Sequence, residues 1–467
     1  MIRLTRKSET VIVICGGLLL LWAGGLALFA SAFDYTRPIL DRPTEALIAL
    51  MMAAALVYFI AIRATIKVVP KRSIIGFAVV VGALMRLFMF GTEPIYEDDS
   101  YRYLWDGAQV RAGLNPYIVT PYEARPDPPY NDLIRSIPGA TPEPWSPPPA
   151  HAKVAREGGE SFYRVAYPLL TSIYPPITEG FFALAAFVKP WSLDAWRAVM
   201  LVAEAVSLVG LFVIMRALNR SPLWVIVYWW NPLLVREVMN AGHMEAILIP
   251  FLLLGWWGLI KGRHYLSAIG WALAGAVKIW PLVLLPFAAV AKGHRTQQNT
   301  QSPTSSIVSM ALVAGAGLVV FAAFLAPQLL TQNRSHSGLI AYTLDWQTNA
   351  FLFRGLQALL GDNVARLMVA VVVIGSLIWM LRIRFSSPHA ETRAIVSVMW
   401  VFLLLSPTGY PWYLVWVLPF LCAAPSSLLL LTLTQPLYML RFPLGVEDRT
   451  DIFQDFVSPL IFAPVIG

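Results

Sequence analysis

The stretch Val11-Ile-Val-Ile-Cys15-Gly-Gly-Leu-Leu-Leu-Leu-Trp22-Ala-Gly-Gly-Leu-Ala-Leu-Phe29-Ala-Ser-Ala-Phe33 carries no charged side chain. A helix of about 20 apolar residues, rising about 1.5 Å per residue, spans a hydrocarbon core about 30 Å thick. Comparable runs recur at residues 46–66, 74–90, 196–218, 244–260, 307–326 and 364–381. Hydrophobic residues are 57% of the 467 and charged residues only 13%, against about 25% charged in a soluble domain. Mean hydropathy is +0.63. Inside lipid the backbone must satisfy its own polar groups, and helices do so within one segment. The chain therefore reads as all-α and polytopic, a transmembrane helical protein.

Arg3, Arg6 and Lys7 precede the first run as they would in a secretory signal. The run is too long for a signal core, and no small-residue cleavage site stands out, so a retained helix is expected. Cys15 and Cys422 both lie in apolar segments. Two cysteines far apart provide neither a disulfide framework nor zinc-ligand spacing.

Net charge is +8, and its placement matters more than its total. Basic clusters occur at Arg3/Arg6/Lys7, Arg63/Lys67/Lys71/Arg72, Arg216/Arg220, Lys261/Arg263, Lys292/Arg295 and Arg382/Arg384/Arg393. Placing all six in the cytoplasm satisfies the positive-inside rule. The N-terminus is then inside, residues 74–90 run outward, 195–218 return, and 222–237 run outward again. Residues 174–188 must not cross. Their polar, proline-broken start and length of about 22 Å suit an amphipathic helix at the outer interface. The basic charge thus reflects topology and gives no reason to expect nucleic-acid binding.

After the third run comes Glu97-Asp98-Asp99-Ser-Tyr101-Arg102-Tyr-Leu-Trp105-Asp106-Gly107, closing with Gly113-Leu-Asn115-Pro116-Tyr117. Carboxylates at a bilayer edge lose hydration, so such a cluster serves proton transfer, cation binding or catalysis. The plainer alternative is a helix cap, but a cap needs one carboxylate and this edge has three. The polar excursion 115–176 that follows is rich in proline and interleaved with Tyr117, Tyr122, Tyr130, Trp145 and Tyr163. Disordered segments are poor in aromatics, so an ordered outer loop is expected. Two more outer segments carry Asp345-Trp346-Gln347-Thr348-Asn349 and Ser406-Pro407-Thr-Gly-Tyr410-Pro411-Trp412-Tyr413.

Polar residues also interrupt apolar surroundings further on. Asn231-Pro232 breaks a span and is followed by Glu237, Asn240, Gly242, His243 and Glu245. An ordinary turn explains them, yet broken membrane helices are tolerated mainly where the irregular backbone lines a polar cavity. His243 and Glu245 are too close in sequence for one helical metal face. Lys278, in Gly275-Ala-Val-Lys278-Ile-Trp280-Pro281, lies about 20 Å along a helix that starts near Tyr265. From that depth its ammonium cannot reach cytoplasmic water and needs outer water or an anion such as phosphate.

In this order the motifs resemble the type C superfamily of integral-membrane glycosyltransferases. The nearest pattern is the bacterial polyprenol-phosphate-mannose-dependent branch, which is similar to glycosylphosphatidylinositol mannosyltransferase I. The resemblance is carried by Asp98-Asp99-Ser-Tyr101-Arg102, Asp106, Gly113-Leu-Asn115-Pro116-Tyr117, Tyr174-Pro175-Pro176, Asn231-Pro232, Gly242-His243-Met-Glu245, Lys278-Ile-Trp-Pro281, Ser406-Pro407 and Pro411-Trp412-Tyr413. One departure is that Asp98 and Asp99 are adjacent, where the eukaryotic relative spaces its aspartates by one residue.

The resemblance implies the type C fold, with outer-face juxtamembrane helices and a long first catalytic loop. It implies hexose transfer, most simply of mannose, from a polyprenyl-phosphate donor to a glycan or glycolipid acceptor. The site would face the periplasm of a bacterial cytoplasmic (inner) membrane. Asp99 or Asp98 is then the general base, with Lys278, Arg102 and Tyr101 on the donor phosphate. Glu237, His243, Glu245, Asp106 and Trp346 become acceptor or donor contacts. One-step displacement at the anomeric carbon inverts it, and nothing in the sequence marks a second carboxylate for a retaining route. No cofactor is required, although adjacent carboxylates suit a hard cation such as magnesium or manganese. The expected organisation is two N-terminal transmembrane helices in 1–70, a transferase core in 71–425 with the outer loop 91–194, and a C-terminal helix and tail in 426–467. A transporter or flippase would use the same broken helices and midplane charges. The long one-sided loop and the lack of an internal repeat weigh against it.

Overall fold

The computed structural model describes residues 2–127, 145–300, 303–332, 334–382, 385 and 387–466. Pro128, Pro129, Tyr130, Pro138, Pro142 and Pro144 of the first outer loop lie outside them, as does Arg384. The described chain is helix and connecting turn, with one isolated β-type bridge between Thr348 and Thr408. It is an all-α, multi-pass membrane protein.

Six helices are long and apolar enough to cross a membrane: Lys7–Phe33, Thr44–Thr65, Leu193–Ala217, Thr304–Thr331, Asp362–Trp379 and Pro388–Leu405. Two of the runs expected to span are shorter as helices, Arg72–Leu87 and Glu245–Ile260, each 16 residues or about 24 Å. The second is apolar on every face and almost enclosed by its neighbours, so its hydrophobicity records burial in protein as much as lipid contact. The helices that frame the site are α1 (Ile2–Phe29), α2 (Thr44–Thr65), α3 (Arg72–Leu87), α4 (Asp99–Arg111), α5 (Pro176–Val188), α6 (Leu193–Ala217), α7 (Glu245–Ile260) and α8 (His264–Val277).

Helix α5 is 13 residues long, about 20 Å, as expected of a segment that does not cross. Its polarity runs the other way from an interfacial helix. Thr178 and Glu179 are buried, and Glu179 accepts a hydrogen bond from Ser172 Oγ at 2.5 Å, while Leu184, Phe187 and Val188 are exposed. Its packing on α4 is close because Gly107 has no side chain. A Cβ there would meet the Phe182 carbonyl oxygen at 2.4 Å.

A buried ion pair ties α3 to α6. Arg86 Nη2 lies 2.5 Å from Glu204 Oε2, and both side chains are fully buried. The remaining guanidinium donors reach the carbonyls of Gly82 and Trp229 at 2.9 and 2.8 Å, and the Trp229 ring lies 3.6 Å away. Tyr228 donates to the same glutamate. With all three guanidinium nitrogens bonded, the pair holds together a region where water cannot compensate a lost partner.

Residues 222–240 form a broken ascent rather than one span. A 3-10 turn at Pro222–Val225 and short helices at Ile226–Trp229 and Pro232–Leu234 lead into a π-helical turn, Val235–Asn240. Asn231 is satisfied structurally, accepting from Leu234 N and donating to the hydroxyls of Tyr58 and Thr432. The π turn matters for the site, because an extra residue per turn re-aims the side chains that follow.

Candidate active site

The acidic stretch is placed by its clamps. Asn240 Nδ2 donates to Thr92 Oγ1 and to the Glu93 carbonyl, its Oδ1 accepts from Ile95 N, and Arg236 donates to the Ile95 carbonyl. Arg197 reaches the Thr92 carbonyl from the other side. Tyr96 then takes a left-handed conformation, φ 51°, which a bulky residue adopts only when its surroundings fix it. Those surroundings are the Thr44 hydroxyl at 2.5 Å and the stacked Phe442 ring at 4.4 Å.

The turn points Asp98 and Asp99 into a cavity of about 500 Å³. Glu97, not either aspartate, receives the free N–H groups at the start of α4, at 3.2 Å from Asp98 N and 3.1 Å from Asp99 N. Asp98, the residue before the helix, makes no side-chain cap. The aspartate carboxylates are therefore not spent on the helix end.

Behind them sits His243, fully buried on the turn before α7. Gly242 makes that turn with φ 83°, and a Cβ there would meet Ser100 Cβ at 3.1 Å. His243 Nε2 is 3.0 Å from Glu97 Oε2 and 3.5 Å from Glu237 Oε2, and its ring stacks on Trp412 at 3.7 Å. Burial alone would lower the imidazole pKa, but the carboxylates of Glu97, Glu237 and Glu245 push it up to about 9. Burial would raise Glu97, and the His243 imidazolium and Arg236 instead hold it below its ordinary value. Asp98 is pushed up to about 7 by burial and the Glu97 charge. Asp99 is pushed up to about 8 by burial, then by Glu97, with Asp98 and Glu245 adding to it and His243 opposing. The result is a carboxyl that exchanges protons near neutral pH, where a general base works best.

Glu97, Asp99 and His243 bring one ligand atom each within 4.8 Å of one another. Sequence spacing allowed a cation on the adjacent carboxylates but did not join His243 to them, because Glu97 and His243 are 146 positions apart. The donor set fits a divalent cation only once the imidazole is neutral, since an imidazolium has no lone pair to offer. Paired with Glu97 as it is, His243 serves as the cluster's countercharge.

Lys278 follows the last residue of α8 and faces the same cavity. Its ammonium lies 2.7 Å from Glu245 Oε1 and about 5 Å from the rings of Tyr413 and Trp416. Of the two partners expected for it, outer water or an anion, an anion is supplied by the protein itself. Arg102 also borders the cavity, with Nε 3.0 Å from Asp106 Oδ2 and Nη1 2.8 Å from the Leu170 carbonyl. Trp346 lines the opposite wall against Tyr167 and Tyr342.

Several candidates do not reach the cavity. Asp106 is fully buried and holds Arg102 in place. Glu237 is fully buried against Arg236 and His243. His243 stands behind the carboxylates, and Tyr101 borders a smaller cleft where its hydroxyl accepts from Arg164 at 2.7 Å. Only Tyr101 is next in sequence to a cavity residue, Arg102, and the turn of α4 points its side chain elsewhere; Asp106, Glu237 and His243 are held behind the wall by their buried partners. Conversely, the sequence reading counted Glu97 in the acidic cluster without a role of its own, and gave none to Tyr167, Tyr410, Trp416 or Arg441. For Arg441 a signal existed, because it is the only charged residue between 426 and 446.

The profile of glycosyltransferase family 87 matches residues 173–407, just over half of the chain. The chain belongs to glycosyltransferase family 87. Among curated proteins it is 24% identical over 410 residues to an alpha-(1->6)-mannopyranosyltransferase B of Corynebacterium glutamicum, covering 80% of this chain and 61% of that one. It is 24% identical over 354 residues to an alpha-(1->6)-mannopyranosyltransferase A of Mycobacterium tuberculosis, covering 72% of this chain and 62% of that one. The chain thus spans somewhat over three-fifths of the length of these relatives. No solved structure matches it significantly. The family-87 match contains Glu237, His243, Glu245, Lys278 and Trp346, whereas the acidic stretch at 97–99 lies outside it.

Proposed function

We propose that this family-87 protein is an inverting mannosyltransferase that uses a polyprenyl-phosphate mannose donor and forms an α-(1→6) linkage on a glycan or glycolipid acceptor at the outer face. The observation that carries the reading is the shared cavity, which sets two aspartates with raised pKa values opposite cationic side chains and an aromatic wall. The names of the relatives supply the sugar and the linkage.

The chemistry follows from those groups. An acceptor hydroxyl attacks the anomeric carbon, the carbon–oxygen bond to phosphate breaks, and the polyprenyl phosphate leaves with the bonding pair. Asp99 accepts the hydroxyl proton as the new bond forms, which contributes on the order of 10²–10⁴-fold. Positive side chains across the cavity stabilise the charge gathering on phosphate. Trp346, which is only partly buried, offers a ring face for the sugar and the first isoprene units, and Tyr413 and Trp416, stacked on each other beside Lys278, complete the apolar lining. A β-linked donor gives an α-linked product by one displacement. His243 and Arg236 offset the charges of Glu97 and Glu237, so this reading requires no divalent ion.

The test is to incubate the purified protein in lipid nanodiscs with a panel of polyprenyl-phosphate sugars and an oligomannoside acceptor, scoring release of polyprenyl phosphate. Release with the mannose donor alone supports the reading. Release with none, together with movement of the lipid-linked sugar across a bilayer, would make the protein a flippase instead.

A further inference from the structure

Three cationic side chains face the cavity, and they differ in what they already hold. Arg102 is paired with Asp106 and Lys278 with Glu245, so each forms a unit of no net charge. Arg441 opens the short helix Arg441–Val446 and has, among the described residues, no carboxylate within ion-pair distance. Its Nη1 donates to the Tyr438 hydroxyl, and the guanidinium lies 5.2 and 5.5 Å from the ring centroids of Tyr438 and Phe442. The expected phosphate ligands are thus already compensated, and the cation with no built-in anion is one the sequence reading placed outside the core.

We propose that Arg441 is the anchor for the phosphate of the lipid-linked substrate, with Lys278 and Glu245 acting as a neutral pair toward the sugar. This rests on the lipid-phosphate reading above. A phosphate brought to Lys278 or Arg102 competes with a resident carboxylate, whereas at Arg441 it meets an unmatched positive charge. Arginine also offers a planar fork that takes two phosphate oxygens at once, which an ammonium cannot do. Flanking rings keep that charge from full hydration, so an incoming anion is worth more to it.

The geometry also orders the reaction. Phe442, next to Arg441, stacks on Tyr96, next to Glu97, so the C-terminal helix and the acidic stretch are fixed to one another. The charge of Arg441 reaches Asp98, while the neighbours that set Asp99 are Glu97, His243, Asp98 and Glu245. Inversion needs the incoming hydroxyl and the leaving phosphate on opposite faces of the sugar. With the phosphate held at Arg441, Asp99 remains the base. The C-terminal segment, beyond the family match at 173–407, thereby completes the site.

The test measures affinity of the full chain in nanodiscs for polyprenyl phosphate, polyprenol and inorganic phosphate, by quenching of tryptophan fluorescence. Wild type should bind polyprenyl phosphate at least about tenfold tighter than polyprenol. Arg441→Gln should abolish that preference, and Arg441→Lys should retain part of it with a loss of about threefold or more. A preference kept within about twofold in Arg441→Gln overturns the proposal. So does a preference lost in Lys278→Ala but kept in Arg441→Gln. If thermal melting shows that Arg441→Gln is unfolded, Arg441→Lys decides, and a change under about twofold overturns it. Competition by inorganic phosphate at equal affinity would assign the site to free phosphate and overturn the lipid part. An Arg441-dependent preference in a protein that turns over no sugar donor leaves the anchor standing and removes the transferase reading. Turnover undiminished in Arg441→Gln does the reverse.

Discussion

Transfer should depend on pH across neutrality, and the dependence should belong to Asp99. Its side chain is only 22% exposed. Burial and the negative charge of Glu97, with Asp98 and Glu245 behind it, push its pKa up to about 8, while the His243 imidazolium opposes the shift. The base works as a carboxylate, so raising the pKa removes active base as pH falls. About half of it is ionised at pH 8, roughly 10% at pH 7 and roughly 1% at pH 6. Turnover at limiting donor should therefore drop about tenfold per pH unit on the acid side and level off above about pH 8.5. A carboxyl at its ordinary value near 4 would give a flat profile over the same range. The donor phosphodiester stays anionic throughout, and His243, pushed up to about 9, stays cationic until the alkaline end. Asp98, pushed up to about 7, titrates close by, so the two carboxyls must be separated by substitution. Asp99→Asn should lose about 10²-fold or more in turnover together with the acid limb, while Asp98→Asn keeps a limb. The assay is release of polyprenyl phosphate from the mannose donor over about pH 5.5 to 9, with melting temperatures confirming the fold. A flat wild-type profile, or an acid limb that survives unchanged in Asp99→Asn, would refute the assignment.

Three further outcomes are expected. Glu204→Gln strands the buried Arg86 charge and should cost about 3–5 kcal/mol, read as a lower unfolding midpoint in detergent, with most of it recovered in Arg86→Met/Glu204→Leu. No recovery in the double variant would mean that the ion pair does more than compensate itself. Cysteines placed at the exposed Glu157 and Lys67 should label from opposite sides of intact cells, the native Cys15 and Cys422 being buried; labelling from one side would remove the proposed outer face. Chelation with EDTA should leave the transfer rate within about twofold, since His243 and Arg236 already offset Glu97 and Glu237; loss of activity restored by manganese would show instead that the imidazole gives up its proton to a metal.

Hydropathy is a local property, and for that reason the sequence alone was sufficient for the all-α membrane class and for the helix that ends at Lys278. It also marked Asp98 and Asp99, because charge at the edge of an apolar run is visible without knowing its neighbours. Both runs 74–90 and 244–260 form helices of only 16 residues, and the apolar character of the second records enclosure by protein, which in sequence reads the same as contact with lipid. What tertiary structure decided was which charges are already compensated. Lys278 finds Glu245 from 33 residues away, His243 finds Glu97 across the turn of Gly242, and Arg441 enters the cavity from the C-terminal segment without a carboxylate of its own. Compensation of charge depends on distances of a few ångströms between residues far apart in the chain. Periodicity and spacing report which residues share a helix face, and only the packed helices fix which faces meet.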